Sequence, residues 1–551
     1  MSLRSFALSS PARAPRARLP LLALASALVL APLVAPPAAQ AQGRRGGADA
    51  QPPGARGRGA GGDSATARRG DSLRVVEGKP PVVTHHTITL GGAPLQYTAH
   101  TGMMPIRNER TGVTEGNIFY VYYAKDGERA ATRPITFVFN GGPGSSTVWL
   151  HMGAFGPRIV HLNPDGTNPP PPYRYEDNQH TLLDQTDLVF LDPVGTGYSR
   201  ATRPEFGPNF WGLDEDVQAV EEFIRLFLVK YERWGSPKFL AGESYGTTRA
   251  AHLSGALTDD GIALNGVALI SMVLNFEASS QADGNDVGWA NFLPTYAATA
   301  WYHKQLPPDL QAQPLEQVLR QAEQLADGPY LLALHKGAGR LPAAERQQIA
   351  EQLARFTGLS REFILQNDLR VPLGRFNTTL LRDEQKAVGR LDSRFTTFLL
   401  DPGADRQFDP SDASIRNSFT PVLNDYVRRE LEYENENVYY ILGGGIGPWR
   451  YPQRNGYADV TPSLERAFAK NPAMRLYVAM GYYDAATPYW AAEYTLAHLN
   501  VAPEVRANNI TTDHFTAGHM VYIDAPSMEK LRQDLRAFYT GAVRGAAAAD
   551  R

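Results

Sequence analysis

Gly242-Glu243-Ser244-Tyr245-Gly246 follows the apolar run Lys238-Phe239-Leu240-Ala241 and precedes Thr247-Thr248-Arg249-Ala250-Ala251-His252-Leu253. The apolar run predicts a buried strand and the residues after it a helix, so the pentapeptide is the turn between them. A serine flanked at i−2 and i+2 by glycine in that setting is a nucleophile elbow. Glycine is needed because the turn is tight and the backbone passes close to whatever binds there. Ser244 is then held exposed, and the N–H of Tyr245 and the start of the helix face a developing oxyanion.

Upstream, three stretches alternate as antiparallel strands do: Thr87-Ile88-Thr89-Leu90, Leu95-Gln96-Tyr97-Thr98-Ala99 and Gly116-Asn117-Ile118-Phe119-Tyr120-Val121-Tyr122-Tyr123. Ile135-Thr136-Phe137-Val138-Phe139 then runs into Asn140-Gly141-Gly142-Pro143-Gly144-Ser145-Ser146. A buried strand entering a double-glycine loop is where a second oxyanion donor is placed, here the N–H of Gly142. Asp187-Leu188-Val189-Phe190-Leu191-Asp192 is a further apolar strand, followed by Pro193-Val194-Gly195-Thr196-Gly197-Tyr198-Ser199. Residues 214–234 carry apolar side chains at 217, 220, 223, 224, 227 and 228, the spacing of an amphipathic helix. Strand and helix keep alternating through Val267-Ala268-Leu269-Ile270-Ser271-Met272-Val273, which predicts a mostly parallel sheet covered on both faces.

Between residues 275 and 455 the pattern becomes helical, with periodicities over 309–326, 343–356 and 415–432. The sheet pattern resumes at Met474-Arg475-Leu476-Tyr477-Val478-Ala479-Met480, so this stretch is expected to be an insertion, a lid over the carboxyl edge of the sheet. That strand ends in Gly481-Tyr482-Tyr483-Asp484, and the last unit supplies Thr516-Ala517-Gly518-His519-Met520-Val521 before a closing helix. Ser244, Asp484 and His519 each lie just past an expected strand, in the order nucleophile, acid, base that marks an α/β-hydrolase. His514 is the rival base, but it falls inside a strand-like run, whereas His519 follows a glycine in a loop. The expected fold is therefore an α/β-hydrolase, with a mostly parallel central sheet and a large, mainly helical lid insertion. Its expected parts are residues 76–274 and 456–545, with the lid at 275–455.

The first 75 residues belong to neither part. Arg13, Arg16 and Arg18 precede an apolar run over 19–34, and Ala39-Gln40-Ala41 supplies a cleavage site, so residues 1–41 are expected to be an export signal. Prolines at 20, 32, 36 and 37 interrupt the apolar run, which argues against a stable membrane anchor. Residues 42–75, rich in Gly, Arg and Ala, have too few large apolar side chains to fold and read as a linker. The expected location after cleavage near Ala41 is the periplasm or the extracellular medium. The 551 residues contain no cysteine, so neither lipoprotein modification nor a disulfide is available. Eleven arginines against three acids fall within residues 1–75, leaving 43 bases against 54 acids in the rest. A mildly acidic body argues against nucleic acid as a partner. No H-E-x-x-H or comparable ligand cluster occurs, so neither metal nor cofactor is expected.

Together these motifs resemble the serine carboxypeptidase family, peptidase family S10. The resemblance rests on the 140–146 loop with Gly156-Pro157, on 192–199, on the 242–246 elbow and on 517–521, with Asp484 in a Gly-x-x-Asp strand end. It implies Ser244 as nucleophile, His519 as general base and then acid, and Asp484 as the group orienting His519. It further implies the N–H groups of Gly142 and Tyr245 as the oxyanion hole. Asn140 and Glu243 would bind the free carboxylate of a peptide's C-terminus, which Glu243 can do only while protonated.

Three departures from the family pattern stand out. Where a second glutamate is usual, this chain has Ala154, so Glu243 is expected to ionise more readily and the pH optimum to lie nearer neutrality than is usual in the family. The loop Asp192-Pro193-Val194-Gly195 is one residue shorter than usual. Ser145 stands where a disulfide cysteine is common, as in a divergent, bacterial-type branch. The implied activity is an exported carboxypeptidase acting on peptides with a free C-terminus through an acyl-enzyme. A serine esterase or acyltransferase of the same fold is the alternative, and a binding protein that has kept the fold is disfavoured by the intact triad.

Overall fold

The computed structural model describes residues 79–401, 403 and 408–549, with side chains to residue 543. The expected signal and linker, residues 1–75, lie outside the described residues. The main sheet contains β1 (Val82–Leu90), β2 (Ala93–Arg107), β3 (Thr114–Lys125), β4 (Ile135–Phe139), β5 (Asp187–Asp192), β6 (Lys238–Glu243), β7 (Gly266–Ile270), β8 (Arg475–Gly481) and β9 (Ile510–Phe515). In space the order is β1-β2-β3-β5-β4-β6-β7-β8-β9, and the two-residue strand Arg200–Ala201 pairs with β3 beside this path. The first three strands pair antiparallel with each other and with β5. From β5 to β9 every pairing is parallel.

The central strands carry no polar alternation because both faces are covered. Side chains alternate between two apolar layers instead. Phe137, Phe139, Leu240, Val267, Leu269, Leu476 and Val478 enter one layer. Val138, Phe239, Ala241, Ala268, Ile270, Tyr477 and Ala479 enter the other. Helices α1 (Leu213–Lys230) and α2 (Tyr245–Asp259) cover the first layer through Val217, Val220, Phe223, Ile224, Phe227, Leu253 and Leu257. The C-terminal helix Ala525–Ala549 covers the second through Leu531, Leu535 and Phe538.

Residues between β7 and β8 do not behave as one piece. Helices α3 (Leu293–Tyr302), α4 (Leu315–Leu325) and α5 (Ala343–Thr357) bury most of their apolar side chains in a third cluster running from Trp289 to Val388, while Ala298, Leu315 and Leu319 reach the sheet's first layer. The following helix α6 (Pro410–Arg429) instead sets Ile415, Phe419, Val422, Leu423 and Tyr426 against the sheet's second layer. Its stripe is apolar at the 3.6-residue period, and the complementary surface is the turn carrying Trp149 and Phe155. Among the described residues no helix is long and apolar enough to cross a membrane.

Candidate active site

β6 ends at Glu243, and α2 begins at Tyr245, so Ser244 alone makes the turn, with φ 59° and ψ −131°. Such a conformation is strained for a residue with a side chain and persists only where its surroundings fix it. The surroundings here are backbone. A Cβ added at Gly242 would lie 2.2 Å from the carbonyl oxygen of Gly246, and one at Gly141 would lie 2.4 Å from the nitrogen of Tyr245. The double-glycine loop after β4 is thus pressed onto the elbow, whose Tyr245 N–H, with that of Gly142, is the expected oxyanion hole. Replacing Gly141 by alanine must displace one of the two. The expected loss is about 100-fold or more in kcat per active site, the usual effect of losing one such donor, read by turnover normalised to serine-probe titration.

Ser244 N–H donates to the carbonyl of Ile270, at the end of β7 (3.0 Å). The next residue, Ser271, is buried with φ 55° and reaches the other two loops. Its hydroxyl donates to the carbonyl of His519 (2.6 Å), and its carbonyl lies 3.1 Å from Thr487 Oγ1, whose single proton goes to the nearer Asp484. His519 Nδ1 donates to Asp484 Oδ2 (2.7 Å). Thr487 Oγ1 donates to the same Asp484 oxygen (2.7 Å), while Asp484 Oδ1 accepts from the N–H groups of Ala486 (2.8 Å) and Thr487 (2.9 Å). A carboxylate held by four donors has a fixed plane, and it leaves His519 Nε2 as the acceptor nitrogen. Burial alone would lower the pKa of His519, but the Asp484 carboxylate outweighs it and raises the imidazole above its ordinary value. Among the hydrogen bonds of the described residues none joins the Ser244 hydroxyl to His519; the two are linked through Ser271. Ser244 is half-buried and Gly142 exposed, whereas Asp484 and His519 are buried, so the site opens to solvent on the serine side.

Glu243 and Asn140 also meet here. Glu243 Oε2 accepts from the hydroxyl of Tyr522 (2.5 Å), and both residues are buried. Asn140 Oδ1 accepts from Leu150 N–H (3.1 Å), while its amide nitrogen, equally buried, lacks a hydrogen-bond partner. Burial pushes Glu243 up to about 7, against the pull of His519 and the Tyr522 hydroxyl, which favour its charged form. Desolvation thus keeps Glu243 protonated into the neutral range even with alanine at 154 in place of a second carboxyl.

His514 lies within β9, paired with Glu493 (3.2 Å) and stacked on Tyr482 at 5.3 Å, away from Asp484. The shortened 192–199 loop closes on itself. Gly195 N–H donates to the carbonyl of Ser199 (3.1 Å), and Ser199 Oγ to that of Asp192 (2.6 Å). At Ser145, where a cysteine is the family norm, backbone pairing ties the loop down: Ser146 N–H to Ile441 (2.8 Å) and Gly443 N–H to Gly144 (2.9 Å).

Sequence reading missed several residues. Ser271, Thr487 and Tyr522 carry no motif, although each sits within a few residues of one. It also missed a strap at 390–394 that joins the Asp484 and His519 loops. Ala485 N–H donates to the carbonyl of Arg390 (3.0 Å), His519 N–H to that of Leu391 (2.7 Å) and Ser393 N–H to that of Tyr483 (3.0 Å). Gly518 N–H donates to Asp392 Oδ2 (3.2 Å), and Arg394 spans from Asp392 to the carbonyl of Thr516 (2.9 Å) and to Asp524 (3.1 Å).

The sheet order and the Ser244 elbow define an α/β-hydrolase. Residues 92–368 match the family described as serine carboxypeptidase, peptidase S10, and the chain belongs to that family. Among curated proteins, pheromone-processing carboxypeptidase KEX1 of Komagataella phaffii is 29% identical over 170 residues, 30% of this chain and 24% of that protein. Serine carboxypeptidase-like 35 of Arabidopsis thaliana is 24% identical over 244 residues, 42% of this chain and 45% of that protein. The chain thus spans between a quarter and a half of the length of these relatives. Of the solved structures, a carboxyl esterase from Bacillus coagulans shares 12% identity at a TM-score of 0.32, covering 80% of this chain and 99% of that one.

Proposed function

We propose that this chain is an exported serine carboxypeptidase that removes residues from peptides with a free C-terminus. Ser244 attacks the last peptide carbonyl while His519 Nε2 takes its proton. The oxyanion is received by the N–H groups of Gly142 and Tyr245. His519 returns the proton to the leaving amino acid, and water then hydrolyses the ester on Ser244 by the same route in reverse. Asp484 holds the imidazole and stabilises its charged form. The observation that carries the carboxypeptidase reading, over esterase or acyltransferase, is the protonatable Glu243 adjoining Ser244 and facing the unpartnered amide of Asn140. Such a pair offers two donors to a carboxylate, and an ester or an amidated peptide has no use for them.

The test compares a blocked dipeptide, its C-terminal amide and a simple ester of the same acyl group. Cleavage of the free acid but not the amide supports the reading; esters cleaved while both peptides stay inert would sink it. The pH dependence follows from the two raised groups. His519 must be neutral, so activity rises with pH as it loses its proton. Glu243 must be protonated, so acceptance of the free acid falls as pH passes about 7. For the peptide acid kcat/KM is therefore expected to be bell-shaped with its maximum in the neutral range. The ester should show only the rising limb. Glu243→Gln, which keeps an N–H donor at every pH, should remove the falling limb for the peptide acid.

A further inference from the structure

Tyr522 stands three residues beyond His519, and its ring lies against the turn that carries Ala154. A Cβ added at Gly153 would come within 2.9 Å of Tyr522 Cε2, so the glycine makes room for the ring. The hydroxyl so placed meets Glu243 Oε2 at 2.5 Å, inside a pocket in which both side chains are buried. We infer that Tyr522 is a specificity-determining residue: its hydroxyl orients the Glu243 carboxyl toward the C-terminal carboxylate of a substrate. This role rests on the carboxypeptidase reading above.

Counting donors shows why the hydroxyl matters. A carboxylate ligand accepts hydrogen bonds and gives none. Asn140 is held by Leu150 N–H on its oxygen, which leaves its unpartnered amide nitrogen as one donor. Glu243 can be the second only if its proton sits on the oxygen that faces the ligand. A tyrosine hydroxyl donating to Oε2 makes that oxygen the acceptor and leaves the proton on Oε1. A second carboxyl group in the place of Tyr522 would carry a charge of its own at higher pH and compete for the proton. The hydroxyl of Tyr522 cannot, since burial raises its pKa well above that of an ordinary tyrosine. The charged or titratable groups facing Glu243 are His519 and Tyr522 from the loop after β9 and Asp484 from the end of β8, with the neutral amide of Asn140 from the end of β4.

The experiment measures kcat/KM of Tyr522→Phe on the blocked dipeptide acid and on the matching ester between pH 5 and 9. Phenylalanine keeps the ring and its packing. Loss of one hydrogen bond to a buried acid is expected to lower the acid-to-ester ratio about tenfold at pH 6. It should also move the falling limb of the peptide profile to higher pH, because Glu243 loses a partner that favours its charged form. Both changes are required. Acid and ester falling together, or an unmoved limb, would reduce Tyr522 to a support for the His519 loop and overturn the inference. Glu243→Gln is the internal control, for adding Tyr522→Phe to it should leave the pH profile unaltered. Should the wild type not discriminate the dipeptide acid from its amide, the carboxypeptidase reading itself fails, an outcome distinct from failure of the Tyr522 assignment alone.

Discussion

Ser244→Ala is expected to lower kcat by about a million-fold, and Ser244→Ala/His519→Ala by no more than that. The non-additivity follows from how the three loops are joined. On the proposed mechanism Ser244 gives up its proton only to His519, and His519 is useful only while Ser244 is there to be deprotonated. Removing either therefore removes the whole nucleophilic step. What remains is the attack of water on a carbonyl polarised by the N–H groups of Gly142 and Tyr245, which is why the activity of the two variants should level off at one residual value. Progress curves on an activated ester, with serine-probe labelling as a check on contamination by wild type, measure both. Should Ser244→Ala retain about a thousandth of wild-type turnover, far above that residual value, a group other than Ser244 is the nucleophile.

Asp484→Asn should cost about ten-thousand-fold in kcat with little change in KM. Oδ2 of Asp484 accepts from both His519 Nδ1 and Thr487 Oγ1, while Oδ1 accepts two backbone N–H groups. An asparagine amide can satisfy the backbone pair only with its oxygen, which turns its NH2 group toward His519. That forces the proton from Nδ1 to Nε2, and the nitrogen facing Ser244 becomes a donor instead of a base. The tautomer, not the packing, is what changes, so the melting temperature should move little. Thr487→Val, by contrast, removes one of four donors to the carboxylate and is expected to cost about tenfold. Measured kcat values within a factor of about ten of each other for these two variants would contradict the assignment.

How much of this was legible in the residues depends on where the information lies. The elbow, the double-glycine loop and the alternation of the central strands are local properties of short runs, written in periodicity and in glycine placement. Ser244 and Asp484 could be proposed because each follows a strand with an apolar run, whereas His519 follows the largely polar strand Ile510–Phe515 and was proposed from the glycine before it and from the order of the three residues. The pocket around Glu243 was not legible, because its electrostatics depend on burial and on Tyr522, 279 residues away in the chain. The loss of a neighbour at Ala154 could be read from the sequence, but the desolvation that raises Glu243 exists only in three dimensions. Nor does sequence separate α6 from the helices before it. All are amphipathic, and only the packing shows α6 against the sheet's second layer and the others mostly around a further cluster.

The strap at 390–394 gives that further cluster a consequence. Its residues directly follow the cluster that ends at Val388, and they hold the two loops on which His519 and Asp484 stand. The cluster also meets the sheet's first layer through Ala298, Leu315 and Leu319, so its opening would disturb both the cover of the sheet and the spacing of Asp484 and His519. Shortening the segment between β7 and β8 is therefore expected to loosen the spacing of Asp484 and His519 rather than merely to widen the opening at Ser244.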